Sequence, residues 1–171
     1  MAHKEQKEFF DSVKEKHPQY FKEVKVIDLG SLDVNGSLKD LFSDSEYIGI
    51  DIVSGKNVDI VCKADEAPFP DAIFDVVISA EMLEHDEFWK ESLLKMYNLA
   101  KPNALIAISC AGEGRPEHGT TRTGAEWGTS SDYYMNITPD NIRSIYGELE
   151  WKEVYYKNNN ESHDTYFYGI K

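Results

Sequence analysis

Basic residues are scarce in this chain. Only 18 of its 171 residues are lysine or arginine, against 31 aspartates and glutamates, and the formal net charge is −13. Affinity for nucleic acids depends largely on cationic side chains that neutralise phosphates. The charge balance therefore disfavours DNA or RNA as the main partner.

Cysteines and long apolar runs are also scarce. The two cysteines, Cys62 and Cys110, each lie in an apolar run, and we interpret them as reduced thiols of the core. No stretch approaches the roughly 20 apolar residues that a membrane-spanning helix needs. Residues 1–21 are charged throughout and lack the apolar centre of a signal peptide. We expect a cytoplasmic protein with no membrane partner.

The glycine fingerprint of dinucleotide-binding folds is missing as well. In "VKVIDLGSLDVNGSLKDLF" (24–42) an apolar run passes into a polar turn, but Leu32 occupies the position of the second glycine in G-x-G-x-x-G. A pyrophosphate requires that close approach of the backbone. The turn is therefore either a tight connection or a cradle for a cofactor with a ribose and no phosphates.

The sequence does contain an alternation of β-rich and helical segments. Their patterns predict strands at 24–30, 47–52, 58–64, 74–81 and 104–112, and a closing hairpin made of "EWKEVYYKN" and "DTYFYGIK". Apolar residues at helical spacing predict helices at about 3–16, in "SLKDLF" (37–42), within 86–101 and from Thr138 onwards. Such alternation predicts a parallel sheet covered on both faces, with one strand of the hairpin antiparallel. We expect a single domain over residues 1–171 with an N-terminal helical extension at 1–23.

One glycine and one aspartate suggest a ligand at the first two strands. Gly30 admits a ligand close to the backbone, and Asp51 follows 21 positions later at the end of the second predicted strand. Ligands of doubly wound sheets bind at the carboxyl ends of the strands, where a carboxylate can accept hydrogen bonds from a ribose diol. The two features together predict a cofactor that contains a nucleoside.

Four segments in this order resemble class I S-adenosylmethionine-dependent methyltransferases, especially their small "type 11" members: "VIDLGSLDVNGSL", "YIGIDI", "ADEAPFPDAIFDVVISAEMLEH" and "KPNALIAIS". The resemblance covers about residues 24–110. It implies a doubly wound α/β fold with a mostly parallel seven-stranded sheet and an antiparallel C-terminal strand. It also implies S-adenosylmethionine as cofactor, S-adenosylhomocysteine as product, and a cofactor site formed by Asp28, Gly30, Ser31, Asp51, Ile52, Ala64, Ser79 and Glu81.

The sequence departs from this family's pattern at two places. The turn is "GSLDVNG" instead of G-x-G-x-G, although Asn35 and Gly36 can supply the left-handed backbone that the turn needs. Lys63 stands where the family has an aspartate that contacts the adenine amine. We expect Asp65 or Glu66 to make that contact instead.

His85 in "EMLEHDE" is the candidate catalytic residue. Methyl transfer is an in-line displacement that depends mainly on alignment, and a general base is needed only when the acceptor carries a proton. His85 follows the fourth predicted strand, where the family places groups that face the substrate. Alternatively, Glu84 and His85 merely begin a helix or satisfy local hydrogen bonds. Surface acidity explains the acidic run, and we expect no metal site.

The polar segment 113–137 is longer than an ordinary connection and follows the fifth strand at the ligand-binding edge. It is either a lid that forms a substrate wall or a surface excursion held by its own aromatic side chains. We expect the former, with these residues on the substrate side: Arg115, His118, Trp127, Tyr133 and Tyr134.

The function that these features predict is methyl transfer to a small-molecule acceptor. A nicotinamide-dependent oxidoreductase is the alternative enzyme, which the missing fingerprint and the terminal hairpin disfavour. A catalytically inactive, cofactor-binding partner subunit is the alternative from another class.

Overall fold

A computed structural model describes residues 4–124 and 132–171. The strands are β1 Lys25–Leu29, β2 Glu46–Asp51, β3 Ile60–Val61, β4 Phe74–Ala80, β5 Ala100–Ala111, β6 Glu153–Asn159 and β7 Asp164–Ile170. The helices are α1 Lys4–Lys16, α2 Trp89–Leu99 and α3 Pro139–Tyr146, and short 3₁₀ turns lie at Pro18–Tyr20, Lys39–Leu41, Leu83–His85 and Thr121–Thr123.

The strands form one sheet in the order β3-β2-β1-β4-β5-β7-β6. Strands β1 to β5 pair in parallel, and β7 runs antiparallel to both of its neighbours. This topology confirms the predicted fold class. The strand order reverses between β1 and β4, so a crevice for a ligand is expected at the carboxyl ends of these two strands.

Helices cover the two faces of the sheet with separate apolar clusters. Phe9, Phe10 and Val13 of α1 pack on one face with apolar residues of β1, β4, β5 and β7. Buried residues of α2 and α3 fill the other face, among them Leu93 and Ile142. Among the residues described, no helix combines the length and apolar character needed to cross a membrane.

The helix predicted in "SLKDLF" is wrong. Only the three residues Lys39–Leu41 form a 3₁₀ turn there. Polar side chains nearby bond to the backbone, since Gly36 N donates to Asp33 Oδ1 at 2.7 Å and Lys39 N donates to Ser37 Oγ at 3.0 Å. Such local bonds compete with helix formation.

Other predicted elements differ mainly at their ends. The third strand shrinks from 58–64 to Ile60–Val61, while β5 begins already at Ala100 instead of 104. The helix from Thr138 is confirmed with its cap, because Asn141 N donates to Thr138 Oγ1 at 3.2 Å. The terminal hairpin is confirmed as β6 and β7.

A substitution of Phe10 tests whether helix α1 is an integral part of the folded domain. The side chain of Phe10 is fully buried against the sheet. Phe10→Ala should lower the free energy of unfolding by about 3–5 kcal/mol, as for other large-to-small changes in a core. Urea denaturation measures this loss. The control is Glu8→Ala on the exposed side of the same helix, expected to change stability by less than about 0.5 kcal/mol. Equal effects of the two variants would show that α1 is a detachable extension.

Candidate functional site

A cavity of about 490 Å³ opens at the carboxyl edge of the sheet. The ends of β1, β2 and β4 and the loops that follow them form its wall. Seven residues of the predicted cofactor site line it: Asp28, Gly30, Ser31, Asp51, Ile52, Ala64 and Glu81. The predicted residues His85 and His118 line the same cavity.

Gly30 lies in the turn that leaves β1 and has a left-handed backbone, with φ of +85°. A Cβ at this position would be 2.4 Å from Met82 Cβ, so no side chain fits there without displacement of the chain. The amides of the turn are already used, because Gly30 N and Ser31 N both donate to Ile50 O, at 2.9 and 3.0 Å. The turn therefore offers a bare backbone surface and no ring of free amides for a phosphate.

Asp51 at the end of β2 is held by two backbone amides. Leu32 N donates to its Oδ2 at 3.2 Å, and Val53 N donates to its Oδ1 at 3.0 Å. These bonds fix the carboxylate across the first loop, while partial burial raises the pKa of Asp51. A carboxylate can accept about four hydrogen bonds, so each oxygen retains capacity for a ligand hydroxyl.

Asp28 is the most deeply buried acidic group of this end of the cavity, with 4% exposure. Tyr47 Oη donates to its Oδ2 at 2.6 Å, whereas Oδ1 has no hydrogen-bond partner within residues 4–124 and 132–171. Burial raises the pKa of Asp28 to about 7, with the charge of Asp51 adding to the effect. A cationic group of a ligand would complete the environment of this carboxyl group.

An apolar mouth lies beside the aspartates. Ile52, Val53 and Phe88 line the cavity although 37%, 46% and 36% of their surface remains exposed. Lys63 also lines it, with Nζ 4.6 Å from the centre of the Phe88 ring. Such an arrangement of flat and branched apolar surfaces suits a planar heterocycle.

Three residues of the predicted cofactor site lie outside the cavity lining. Ser79 is fully buried within the sheet, where its hydroxyl donates to Leu29 O at 2.8 Å. Asp65 is half-buried and Glu66 is exposed, and neither contributes to the wall.

The far end of the cavity is formed by two histidines. His85 lies on the 3₁₀ turn after β4, and its ring centre is 5.2 Å from that of His118, which lies in the loop after β5. Gly119 lies directly against His85, since a Cβ on Gly119 would be 3.0 Å from His85 Cε1. Burial lowers the pKa of His85 to about 4, so its imidazole is neutral at neutral pH.

Arg115, Tyr133 and Tyr134, also predicted on the substrate side, form hydrogen bonds within the loop or to its neighbours. Arg115 donates to Asp164 Oδ1 and to Ser162 O, both at 2.8 Å. Tyr134 donates to Pro116 O at 3.1 Å, and its ring packs against both histidines, with centres 5.4 Å from His85 and 5.2 Å from His118. Tyr133 donates to Met135 Sδ at 3.2 Å. None of the three lines the cavity, and Trp127 lies outside the described residues.

Gln6 of α1 is a cavity residue that the sequence analysis missed. Its side chain is buried, and Nε2 donates to Ser109 Oγ at 2.8 Å and to Glu81 Oε1 at 3.4 Å. A signal was present, because Gln6 lies three and four positions before the buried Phe9 and Phe10 and so shares their helix face. A polar residue on an apolar helix face points to a polar partner inside.

The comparisons with known proteins agree with this architecture. Residues 30–108 match a family described as methyltransferase domain. No curated protein sequence matches the chain significantly.

Solved structures resemble the chain over most of its length. A SAM-dependent methyltransferase from Archaeoglobus fulgidus is 18% identical, with a TM-score of 0.66 and coverage of 96% of this chain and 94% of that chain. The 1,6-didemethyltoxoflavin-N1-methyltransferase of Burkholderia thailandensis is 15% identical, with a TM-score of 0.63 and coverage of 91% and 74%. Phosphoethanolamine N-methyltransferase 2 of Haemonchus contortus is 14% identical, with a TM-score of 0.68 and coverage of 96% and 52%. At these identities the likeness concerns the fold.

The close approach of Gly30 to Met82, which follows β4, can be tested by comparison with a second glycine of similar backbone conformation. Gly124 has a similar φ of +79°, but a Cβ there would meet no described atom within 4 Å. Alanine at either position should cost about 1–2 kcal/mol for the left-handed backbone. Gly30→Ala should cost roughly 1–3 kcal/mol more, because its Cβ would overlap Met82. Equal losses in urea denaturation would contradict this contact.

Asp28 should make stability depend on pH. Its pKa is about 7 in the folded chain and ordinarily 3.8, so the folded state holds this proton more tightly. The resulting stabilisation is complete below about pH 4 and is lost as the pH rises through about 7. The free energy of unfolding of the wild type relative to Asp28→Asn should therefore fall by about 4 kcal/mol over this range. Tyr47 and Asp51 face Asp28 and are kept in both proteins. A difference that does not change with pH would refute the assignment.

Proposed function

We propose that this chain, which belongs to the methyltransferase domain family by its match over residues 30–108, transfers a methyl group to a small-molecule acceptor by in-line displacement. The methyl donor of this enzyme is S-adenosylmethionine. When bound, the cofactor supplies a methyl group that its positively charged sulfur activates. The residues of the chain then have to bind the cofactor, exclude water and align an acceptor.

The observation that carries the proposal is the pairing of Asp51 with the bare turn at Gly30 on one cavity wall. Asp51 would accept hydrogen bonds from the ribose hydroxyls with the capacity that its two backbone donors leave. The turn at Gly30 would lie under the methionine part, whose ammonium group suits the unpartnered Oδ1 of Asp28. Ile52 and Ala64 would pack against the adenine.

The charge of the cavity supports a cationic cofactor. Asp28, Asp51 and Glu81 all line it, and Lys63 is a cation near its mouth. A sulfonium ion lowers the cost of ionised carboxylates in a partly buried site, because opposite charges attract strongly where water is excluded. A nicotinamide dinucleotide would instead bring a pyrophosphate to a turn whose amides at Gly30 and Ser31 are already bonded to Ile50 O.

The size of the cavity and the residues at its far end support a small-molecule acceptor. His85, His118 and Gly119 line this end of a cavity of about 490 Å³, so an acceptor that shares the cavity with a cofactor would have to be small. Two of the similar structures hold small acceptors, namely 1,6-didemethyltoxoflavin in the Burkholderia thailandensis enzyme and phosphomonomethylethanolamine in the Haemonchus contortus enzyme. We propose the same class of acceptor here, with His85 as the group nearest to it.

Replacement of Asp51 tests the cofactor site. Asp51→Asn keeps an oxygen acceptor but loses the charge, so binding of S-adenosylhomocysteine should weaken by about 1–3 kcal/mol, or roughly 5-fold to 150-fold. Isothermal titration calorimetry measures the affinity. The matched control is Asp71→Asn, an exposed aspartate outside the cavity, which should leave the affinity unchanged.

The same titrations distinguish the alternative enzyme class. The wild type should bind S-adenosylmethionine and S-adenosylhomocysteine and should not bind NAD⁺ or NADH. Unchanged affinity in Asp51→Asn would remove Asp51 from the site. Saturable binding of NAD⁺ without binding of S-adenosylhomocysteine would overturn the proposed function.

A further inference from the structure

Three potential metal ligands converge at the far end of the cavity. Glu84 and His85 lie on the 3₁₀ turn after β4, and His118 reaches them from the loop after β5. One carboxylate oxygen and one ring nitrogen from each histidine all lie within 4.8 Å of one another. The cluster is built by tertiary structure, since the two histidines are 33 positions apart in sequence.

The converging atoms have no hydrogen-bond partners in the part of the chain that the structure describes. This holds for both carboxylate oxygens of Glu84, for His85 Nδ1 and for His118 Nε2, all of which are buried. Glu84 itself has no exposed surface. Buried polar groups, above all carboxylates, are costly without a partner, so three such groups facing one another indicate a missing ligand.

Each imidazole has one buried nitrogen without a hydrogen-bond partner among the described residues, and such a nitrogen can offer a lone pair to a metal. His118 Nδ1 is 3.1 Å from Pro116 O, and a proton on Nδ1 leaves Nε2 as an acceptor. His85 Nδ1 is buried and has no hydrogen-bond partner among the described residues. Histidines that bind metals commonly donate their other N–H to a backbone carbonyl, and Pro116 O is placed to accept from His118 Nδ1.

A direct ion pair explains the cluster less well. His118 Nε2 is 3.8 Å from Glu84 Oε1, which is too long for a hydrogen bond. An ion pair would also leave His85 Nδ1 without a partner.

We propose that Glu84, His85 and His118 bind one divalent transition-metal ion. Two imidazoles and one carboxylate suit Zn²⁺, Fe²⁺ or Co²⁺. Ligand atoms about 2.1 Å from a tetrahedral ion lie roughly 3.4 Å apart, so atoms that now lie within 4.8 Å of one another would have to approach by up to about 1.4 Å when the ion binds. Three protein ligands leave a coordination position open, as in catalytic metal sites.

Glu81 is a second carboxylate beside this cluster. It precedes Glu84 by one turn, lines the cavity, and its Oε2 is buried without a hydrogen-bond partner among the described residues. Arg115 is a cation that already acts on both carboxylates, and a divalent ion would add a second positive charge beside them.

The position of the ion also indicates the class of acceptor, an inference that rests on the proposed function. His85 and His118 line the cavity, so the open coordination position faces the space assigned to the acceptor. A divalent ion binds and orients oxygen ligands. We therefore expect an acceptor with a hydroxyl or carboxylate oxygen near the atom that receives the methyl group.

Metal binding can be measured without any cofactor. The wild-type chain is freed of metals by dialysis against a chelator and titrated with Zn²⁺ in a calorimeter, and Co²⁺ binding is followed by visible absorption. We expect one ion per chain, a cobalt spectrum with nitrogen and oxygen ligands, and a rise of Tm with metal concentration. Glu84→Gln and His118→Asn should each weaken binding at least about 10-fold.

Matched controls come from residues of the same types elsewhere. Glu113→Gln and His163→Asn replace exposed side chains outside the cluster and should leave the affinity unchanged. Circular dichroism checks that every variant is folded, and Glu84→Gln preserves the shape of the side chain. Absence of stoichiometric binding by the wild type, or equal affinity in Glu84→Gln, His118→Asn and the controls, would overturn the proposal.

Failure of this proposal is distinguishable from failure of the proposed function. Titration of the metal-free wild type with S-adenosylhomocysteine tests cofactor binding without the ion, and the central cofactor residues Asp51 and Gly30 lie outside the cluster. Cofactor binding without metal binding would leave the methyltransferase assignment intact and refute the metal site. Metal binding without cofactor binding would support the metal site and refute the methyltransferase assignment.

Discussion

Buried carboxylates at the carboxyl edge of the sheet are the constraint on which this site depends. Asp28, Glu81 and Glu84 each have at least one buried oxygen that no described residue bonds. Desolvation raises the pKa of all three, to about 7, 8 and 7 respectively. Buried carboxylates without partners destabilise the fold, and a ligand that supplies a cation or a hydrogen-bond donor offsets this loss. The two ends of the cavity therefore point to two positively charged occupants, a sulfonium cofactor near β1 and a metal ion near β4.

The scaffold keeps these carboxylates in place with ordinary backbone interactions. The parallel strands β1, β2 and β4 end at one edge, so side chains that follow them meet in space. The close approach of Gly30 to Met82 joins the first and fourth strands at that edge. Helix α1 contributes Gln6 from the far side of the sheet, so the N-terminal helix is part of the cavity and not only a cover for the core.

Contacts of its side chains with β7 and with the two histidines hold the loop after β5 in position. Arg115 is tied to the buried Asp164 of β7, and Tyr134 packs against both histidine rings. These contacts hold His118 at the cavity although the loop lacks long regular elements. Arg115 and Tyr134 therefore help to position His118, and their predicted place on the substrate side stays a prediction.

Local patterns in the sequence determined the succession of strands along the chain, the capped helix at Thr138 and the positions of Asp28 and Asp51 at strand ends. These features depend on alternation, capping and chain direction, which act over a few residues. The helix predicted in "SLKDLF" does not form in the turn after β1, because hydrogen bonds between side chains and the backbone, such as that of Ser37, compete with it.

Only the tertiary structure decided which distant groups meet. It brought His118 to Glu84, Arg115 to Asp164 and Gln6 to Glu81, pairs that are 34, 49 and 75 positions apart. Periodicity and composition carry no information about such contacts, since they arise where separate loops and helices cover the same sheet edge. For that reason the sequence alone indicated a cofactor at the first two strands, whereas the metal cluster emerged only from the folded chain.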